Sequence, residues 1–246
     1  MSTEVIDSET KPQKSLAKRL APLGVIAAAL AAFFALGGPE YVNLETLKAN
    51  REFLAGLVEN NFIMVFLGFI ALYALLVGIS FPGAGFLSIF GGFLFGTFTG
   101  AFGIVIGATI GACIIFMAVR MALGDAMAEK MGPYMKKFEQ GLNKNELSYL
   151  FILRLVPLFP FFVVNVVPAL FNVKFRNYAL STALGIIPGS LVYASIGDGA
   201  SAIFEQGGDL KLSGVMTEPR VLFPIIGLAC LAMIPIIYNK FKAQPA

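Results

Sequence analysis

The feature that most constrains this chain is a stretch of sixty residues, 60–119, without a single charged side chain. As one helix, rising about 1.5 Å per residue, it would extend roughly 90 Å, against a bilayer hydrocarbon core of about 30 Å. It is therefore long enough for up to three passes. Of the 246 residues, 57% are hydrophobic and 13% charged, and the mean hydropathy is +0.80. The sequence predicts an all-α integral membrane protein.

Several function classes are disfavoured by what the sequence lacks. Histidine is absent, which removes the commonest metal ligand and the commonest general base. The net charge of +3 is dispersed, and this argues against a nucleic-acid partner. No G-x-S-x-G motif or pair of membrane carboxylates is present. We therefore expect a protein that is not an enzyme, with no metal and no cofactor.

The N-terminal part divides into a polar tail at 1–19, an apolar anchor at 20–37 and a mixed segment at 38–60. The apolar run is longer than the core of a signal peptide, about 7 to 15 residues, so we interpret it as an uncleaved transmembrane anchor. The mixed segment has leucines at helical spacing among charged residues. It fits an interfacial helix and a solvated connector equally well.

A glycine-rich segment follows a predicted span at 61–80. That span should end at Phe81-Pro82-Gly83, because proline lacks the amide donor and disrupts a helix. Beyond it, glycines allow tight turns and close helix approach, with Gly92, Gly96 and Gly100 at small-xxx-small spacing. We predict a re-entrant hairpin near 82–100, with a plain glycine-rich helix as the alternative. The predicted hairpin-forming residues are Pro82, Gly83, Gly85, Gly91, Gly92, Gly96 and Gly100.

The stretch LFILRLVPLFPF, residues 150–161, places Arg154 between apolar runs. An arginine at the bilayer centre costs about 2.5–3.5 kcal/mol on insertion scales, which makes a functional role the default expectation. The alternative is an arginine that snorkels to the interface. Prolines favour a second re-entrant hairpin near 150–170 whose broken ends face a cavity. The residues predicted to break helices in this half are Pro157, Pro160, Pro168, Pro188 and Gly189.

About five transmembrane helices are expected besides the two hairpins. They are predicted at 20–37, 61–80, 101–119, 178–197 and 221–238. A connector that begins at Asp198 should precede the last span, and the region 201–246 ends in a basic tail. Lys and Arg are enriched in 1–19, 120–149 and the tail, which places both termini in the cytoplasm. If 82–100 only dips into the membrane, the loop 120–149 lies outside, so its side stays open.

Two sequence blocks resemble the signature regions of the DedA/VTT superfamily, and most closely its SNARE-associated Golgi protein branch. They are FPGAGFLSIFGGFLFGTFTGAFG, running on to Phe116 and Arg120, and LRLVPLFPFFVVNVVPALFNVKFRNYALSTALGIIPGSLVYASIGDG. The resemblance covers residues 45–200. The motifs that carry it are a phenylalanine four positions before Arg120, the R-x-x-P-x-x-P that begins at Arg154, the later Asn165, and Pro188-Gly189 before Tyr193 and Gly197.

This resemblance implies a membrane domain at 38–200 in which two re-entrant hairpins face each other as an inverted repeat. It also implies location in a bacterial inner membrane and movement of phospholipid or polyprenyl phosphate between leaflets. Arg120 and Arg154 correspond to the family's arginines, the expected phosphate contacts. Some members couple transport to protons through membrane acids. Here no acid lies between Glu59 and Asp125, or between Glu146 and Asp198, which favours scrambling without an energy source.

We therefore expect a lipid transporter whose hairpins form a groove. Arginine's planar fork suits a phosphate, and half-helix N-termini also favour anions. The predicted lipid-phosphate contacts are Arg120, Arg154 and Asn165, of which Arg120 could instead be an interfacial anchor and Asn165 a cap of the hairpin tip. The expected partners are membrane lipids, and the oligomeric state is open. The alternatives are a small-solute or ion transporter on the same architecture and a non-transporting assembly or trafficking factor.

Overall fold

The computed structural model describes residues 16–35, 37, 46, 49–130, 145–155, 161–171, 173–205, 222 and 226. Within these residues the protein is helical and contains no strand. The helices are α1 (Leu16–Ala35), α2 (Arg51–Gly78), α3 (Ala84–Lys130), α4 (Glu146–Leu155), α5 (Phe161–Val166), a 3₁₀ turn (Val167–Leu170), α6 (Phe175–Gly185) and α7 (Ile187–Glu205).

Three helical stretches are long and apolar enough to cross a membrane. They are Arg51–Gly78, Ala84–Leu123 and Phe175–Phe204, the last formed by α6 and α7 together. The prediction of an all-helical membrane protein is thus confirmed. In α1 the apolar part, Leu20–Ala32, is shorter. Residues 1–15 of the predicted tail (1–19) and nearly all of the predicted last span lie outside the described residues.

Helix α2 joins part of the predicted interfacial segment to the predicted span. The backbone leaves helical geometry once, at Asn61, with φ −142° and ψ 45°, close to the predicted boundary between the two. The helix ends at Gly78, and a turn through Phe81-Pro82-Gly83 leads into α3. The predicted break at this proline is therefore confirmed.

Helix α3 is interrupted at Gly96, where φ is +76° and ψ is 176°, a conformation that glycine adopts and other residues avoid. A Cβ on Gly100 would lie 2.7 Å from the carbonyl oxygen of Gly91. In an unbroken helix, residues nine apart are separated by about 13.5 Å along the axis. The chain therefore folds back on itself at Gly96. This corrects the prediction that Gly96 belongs to a small-xxx-small face, since it forms the turn.

The second arm of α3, from Thr97 onward, packs against α2. Three of its glycines lie directly on that helix, and a Cβ at Gly107 would be 2.8 Å from the Tyr73 Cβ. A Cβ at Gly111 would be 2.5 Å from the Ala74 carbonyl oxygen. Because a larger side chain would push the helices apart, these glycines set the distance between α2 and α3.

The first arm of α3, Ala84–Phe95, crosses α7 at a pair of glycines. A Cβ added to Gly92 would collide with the backbone of Ala194, and one added to Gly197 would collide with the backbone of Ile89. Both obstructions are backbone atoms, which cannot rotate away. The crossing therefore requires glycine on both helices.

Asp198 joins α7 to the turn of the hairpin. Its carboxylate accepts hydrogen bonds from the Thr97 hydroxyl, at 2.7 Å, and from the Thr97 backbone N–H, at 3.3 Å. The carboxylate thus caps the N-terminus of the second arm. The prediction that a connector begins at Asp198 is wrong, since α7 continues to Glu205. The helix extends because Asp198 has a partner inside the fold.

The second half of the membrane domain contains two short helical pieces, α4 and the α5–3₁₀ segment. Each contains ten residues, 146–155 and 161–170, or about 15 Å of α-helix. The connection 156–160, with Pro157 and Pro160, lies outside the described residues. Pro168 is buried in the 3₁₀ turn. The predicted break near Pro188 is present as an interruption at Ile186 between α6 and α7.

The Gly197→Leu substitution should destabilise the protein, because the new side chain meets backbone atoms of α3. Overpacking typically costs about 1–3 kcal/mol, and rigid backbone places this site at the upper end. Gly68→Leu is the matched control, since a Cβ there has no neighbour within 4 Å. Thermal unfolding in detergent should show a lower melting temperature for Gly197→Leu alone. Equal melting temperatures would contradict the crossing.

The bond between Asp198 and Thr97 should be measurable by a double-mutant cycle. Asp198→Ala removes the cap and should cost about 0.5–2 kcal/mol of unfolding free energy. Thr97→Val removes the shorter of the two hydrogen bonds. Because both changes disrupt one interaction, their effects should fall short of additivity by roughly 0.5 kcal/mol or more. Additive effects would show that the two side chains stabilise the fold independently.

Candidate functional site

Arg154 lies in the last turn of α4 and reaches towards α5 and α6. Its Nη1 donates a hydrogen bond of 2.6 Å to Oδ1 of Asn165, and its guanidinium carbon lies 5.1 Å from the centroid of the Tyr178 ring. A Cβ on Gly185 would be 2.7 Å from the Arg154 Cβ, so a glycine on α6 allows this approach. Arg154 is partly buried, and its position is fixed by an amide and an aromatic face.

Tyr178 occupies the centre of this arrangement and is fully buried. Its hydroxyl lies 3.2 Å from the Ala112 carbonyl oxygen and 3.2 Å from Asn165 Oδ1. Its ring stacks on Phe116, with centroids 4.3 Å apart and an interplanar angle of 27°. Tyr178 therefore connects three helices, α3, α5 and α6, to the side chain of Arg154.

Asn165 is also fully buried, and it uses its carbonyl oxygen within this network. Its Nδ2 group has no hydrogen-bond partner among the described residues. Burying an amide N–H group without a hydrogen-bond partner costs free energy. The oxygen of the same side chain accepts the hydrogen bond that holds Arg154. The structure thus brings two of the predicted site residues, Arg154 and Asn165, into direct contact.

Arg120 occupies a different place. Its Nη1 donates a hydrogen bond of 2.6 Å to the carbonyl oxygen of Val173, and its guanidinium carbon lies 5.6 Å from the centroid of Phe116. Since Phe116 stacks on Tyr178, the two arginines are connected through two aromatic rings. Arg120 is held against the segment before α6, and it does not line the cavity described next.

A cavity of about 560 Å³ lies between α2, the first arm of α3, α4 and the α6–α7 junction. Among the described residues that line it, Arg154 carries the charge and no carboxylate is present. Four hydroxyl side chains, from Tyr73, Ser88, Ser190 and Tyr193, add polarity. Pro188 and Gly189, predicted as a helix break, form part of the wall together with Gly85 of the first hairpin.

The junction of α6 and α7 also lines the cavity, at Ile186, Pro188, Gly189 and Ser190. Pro188 has no amide hydrogen, so the carbonyl of Leu184 lacks the helical partner that it would otherwise have. The N–H of Ser190 donates to the carbonyl oxygen of Ile186, so α7 continues the hydrogen bonding of α6 at this point. Arg154 supplies the charge of the described lining, and the cavity is therefore suited to a negatively charged group.

The described residues contain no group of three or more His, Cys, Asp or Glu side chains that could hold a metal ion. Tyr178, Tyr73 and Ser88 were not identified as site residues from the sequence. A buried tyrosine or serine has no local sequence signal, and these residues gain their roles from contacts 11 to 66 positions away.

Comparison with known proteins identifies the domain family of the helices that form the site. A family model described as VTT domain matches residues 81–199, a range that contains α3, Arg154, Asn165 and the α6–α7 junction. Residues 81–199 therefore form a VTT domain, and the resemblance to the DedA/VTT superfamily found in the sequence is confirmed.

The relatives carry the name transmembrane protein 41. The chain is 25% identical over 201 residues to the Transmembrane protein 41 homolog of Caenorhabditis elegans, covering 80% of this chain and 79% of the relative. The homolog of Dictyostelium discoideum is 26% identical over 202 residues, 80% of this chain and 58% of the relative. Transmembrane protein 41B of Homo sapiens is 23% identical over 205 residues, 82% and 68%. No solved structure matches the chain.

Tyr178→Phe should lower the stability of the protein, because it removes the hydroxyl that faces Ala112 and Asn165 but keeps the ring. The loss of one buried hydrogen bond is worth about 1 kcal/mol of unfolding free energy. Tyr193→Phe is the control, since this tyrosine of α7 is 45% exposed. Denaturant unfolding in micelles should separate the two variants. If they unfold alike, the Tyr178 hydroxyl does not stabilise the site.

Proposed function

We propose that this protein moves phosphate-bearing lipids between the two leaflets of its membrane, and that Arg154 binds the phosphate during passage. The observation that carries the proposal is the position of Arg154 in a cavity of an otherwise apolar helical body, without a carboxylate in the described lining. A charge is retained in such a place at considerable cost, and the guanidinium fork matches a phosphate in shape and charge.

The short first arm of α3 supports the proposal of a groove. The first arm of α3, Ala84–Phe95, has twelve residues and a length of about 18 Å, too short for a hydrocarbon core of about 30 Å. It turns at Gly96 and returns. We propose that this hairpin is re-entrant, that α4 and α5 form a second re-entrant hairpin, and that the two are related as an inverted repeat. Both hairpins then contribute to the cavity wall, through Gly85 and Arg154.

The barrier to moving a lipid headgroup across a bilayer is the loss of its hydration. A polar cavity at membrane depth lowers that barrier by replacing water with fixed donors. Arg154 supplies positive charge, and the hydroxyl side chains supply hydrogen-bond partners. In this proposal Asn165 and Tyr178 orient Arg154. That Arg120 and Asn165 themselves contact the phosphate stays a prediction.

We also propose the partners, the membrane, the orientation and the energy source of the protein. The partners are membrane lipids, the location is a bacterial inner membrane, and both termini are cytoplasmic because the terminal segments are rich in Lys and Arg. We propose that the protein is not an enzyme. Asp198 lies within α7, but it is hydrogen-bonded to Thr97 and stands outside the cavity lining, so scrambling without proton coupling remains our proposal.

Arg154→Ala should slow lipid movement in liposomes that carry a fluorescent headgroup-labelled phospholipid. Dithionite added outside should quench label beyond the outer-leaflet share with the wild-type protein. Because a charge-assisted hydrogen bond is worth about 1.5–3 kcal/mol, the variant should be slower by roughly tenfold or more. Arg176→Ala, at an exposed arginine of α6, is the matched control and should keep the wild-type rate.

Two results would overturn the proposal. One is quenching that stops at the outer-leaflet share with correctly folded wild-type protein. If such liposomes instead release a small solute, transport of solutes is the better assignment. The other is an Arg154→Ala variant that is folded and as fast as the wild type. In that case lipid moves along a path that Arg154 does not control.

A further inference from the structure

The cavity has a second polar pole besides Arg154, made by Tyr73 of α2 and Ser88 of the first arm of α3. Their hydroxyl oxygens lie 2.9 Å apart. The Ser88 hydroxyl is 2.9 Å from the carbonyl oxygen of Ala84, and the Tyr73 hydroxyl is 3.4 Å from the same carbonyl. Both side chains are more than nine-tenths buried, and both line the cavity.

The hydroxyl protons of this pair are both used within the protein. In one arrangement Tyr73 donates to Ser88, and Ser88 donates to the carbonyl of Ala84. In the other Ser88 donates to Tyr73, and Tyr73 donates to that carbonyl. Each hydroxyl has one proton and two lone pairs, so either arrangement leaves acceptor capacity on both oxygens and no free proton. This pole can therefore accept hydrogen bonds from a ligand at no loss, whereas donating one would break a hydrogen bond within the protein.

A ligand that satisfies both poles needs two features. It needs an anionic group for Arg154 and a hydrogen-bond donor for Tyr73 and Ser88. No carboxylate lines the described cavity wall, so the donor is recognised by neutral oxygens. We propose that Tyr73 and Ser88 determine headgroup specificity, and select phosphodiester lipids whose headgroup carries a hydroxyl or ammonium hydrogen. This inference rests on the proposed function and specifies its substrate.

Three phospholipid headgroups differ in whether they carry a hydrogen-bond donor. Phosphoethanolamine carries ammonium hydrogens, and phosphoglycerol carries hydroxyl hydrogens. Phosphocholine has the same phosphodiester and a positive charge, but its nitrogen bears only methyl groups and has no donor. A phosphocholine in the cavity offers these acceptors no hydrogen, so it lacks the hydrogen bond that the other two headgroups can donate. The expected order is that ethanolamine and glycerol lipids both bind more tightly than the choline lipid.

The test uses the purified full-length protein in detergent, titrated with dihexanoyl phospholipids of each headgroup. A ligand that binds the folded state raises the melting temperature in proportion to its affinity. One hydrogen bond of ordinary strength corresponds to roughly a fivefold difference in Kd. We expect the ethanolamine and glycerol lipids to bind about fivefold more tightly than the choline lipid. In Ser88→Ala and in Tyr73→Phe this ratio should fall below twofold.

Ser195→Ala is the matched control, because Ser195 is a buried serine of α7 that is hydrogen-bonded to Val192 and does not line the cavity. It should keep the wild-type ratio. If only the ethanolamine or only the glycerol lipid exceeds the choline lipid, the inference stands and the donor is identified as ammonium or hydroxyl. A wild-type ratio near one, or a ratio unchanged in both Ser88→Ala and Tyr73→Phe, overturns it.

Arg154→Ala distinguishes this inference from the proposed function. If both are correct, Arg154→Ala weakens binding of all three lipids. Binding that depends on Arg154 but not on the headgroup overturns the inference and leaves the proposed function standing. Binding that is independent of Arg154, or no binding of any lipid, overturns the proposed function and this inference with it.

Discussion

The fold depends on one constraint, that a chain reversing direction between apolar helices must satisfy its own backbone. Apolar surroundings offer no hydrogen-bond partner, so the polar groups at a turn need partners from the protein. At Gly96 the left-handed backbone makes the turn, and the Asp198 carboxylate then accepts the Thr97 N–H that the new helix leaves unpaired. The glycine crossing of Gly92 and Gly197 brings α7 close enough for that bond. Turn, cap and crossing thus depend on one another.

The same close packing creates the site. Gly185 lets α6 approach α4, and this places the Tyr178 ring over Arg154. Asn165 of α5 then holds the guanidinium by a hydrogen bond. A long, flexible arginine side chain is in this way held before the cavity is occupied, which reduces the entropy lost when an anion binds. Preorganisation of this kind favours recognition of a phosphate over nonspecific attraction of charge.

Much of the fold could be predicted from the sequence. Hydrophobic length indicated a helical membrane protein, Pro82 marked the end of α2, and the motif around Arg154 and Asn165 indicated the family. These features depend on local composition or on short spacings. Proline and glycine act on the backbone where they stand, so their effects are visible in sequence.

The features that sequence reasoning missed depend on contacts over long separations. Asp198 was assigned to a connector because its partner Thr97 lies 101 positions away. Gly96 was assigned to a packing face because periodicity cannot distinguish a turn from a helix in a glycine-rich segment. Tyr73 and Ser88 gain significance only when both line one cavity. Arg120 resembled a phosphate contact, and the structure gives it a hydrogen bond to the Val173 carbonyl oxygen.

The central claim is that a lipid phosphate enters the cavity and binds Arg154. The most direct measurement is an experimental structure of the protein in lipid nanodiscs, at a resolution that shows headgroups. The account predicts phosphate density within hydrogen-bond distance of the Arg154 guanidinium, with its acyl chains leaving between the hairpins. A cavity that holds only water or acyl chains, with every phosphate at the membrane surface, would contradict it.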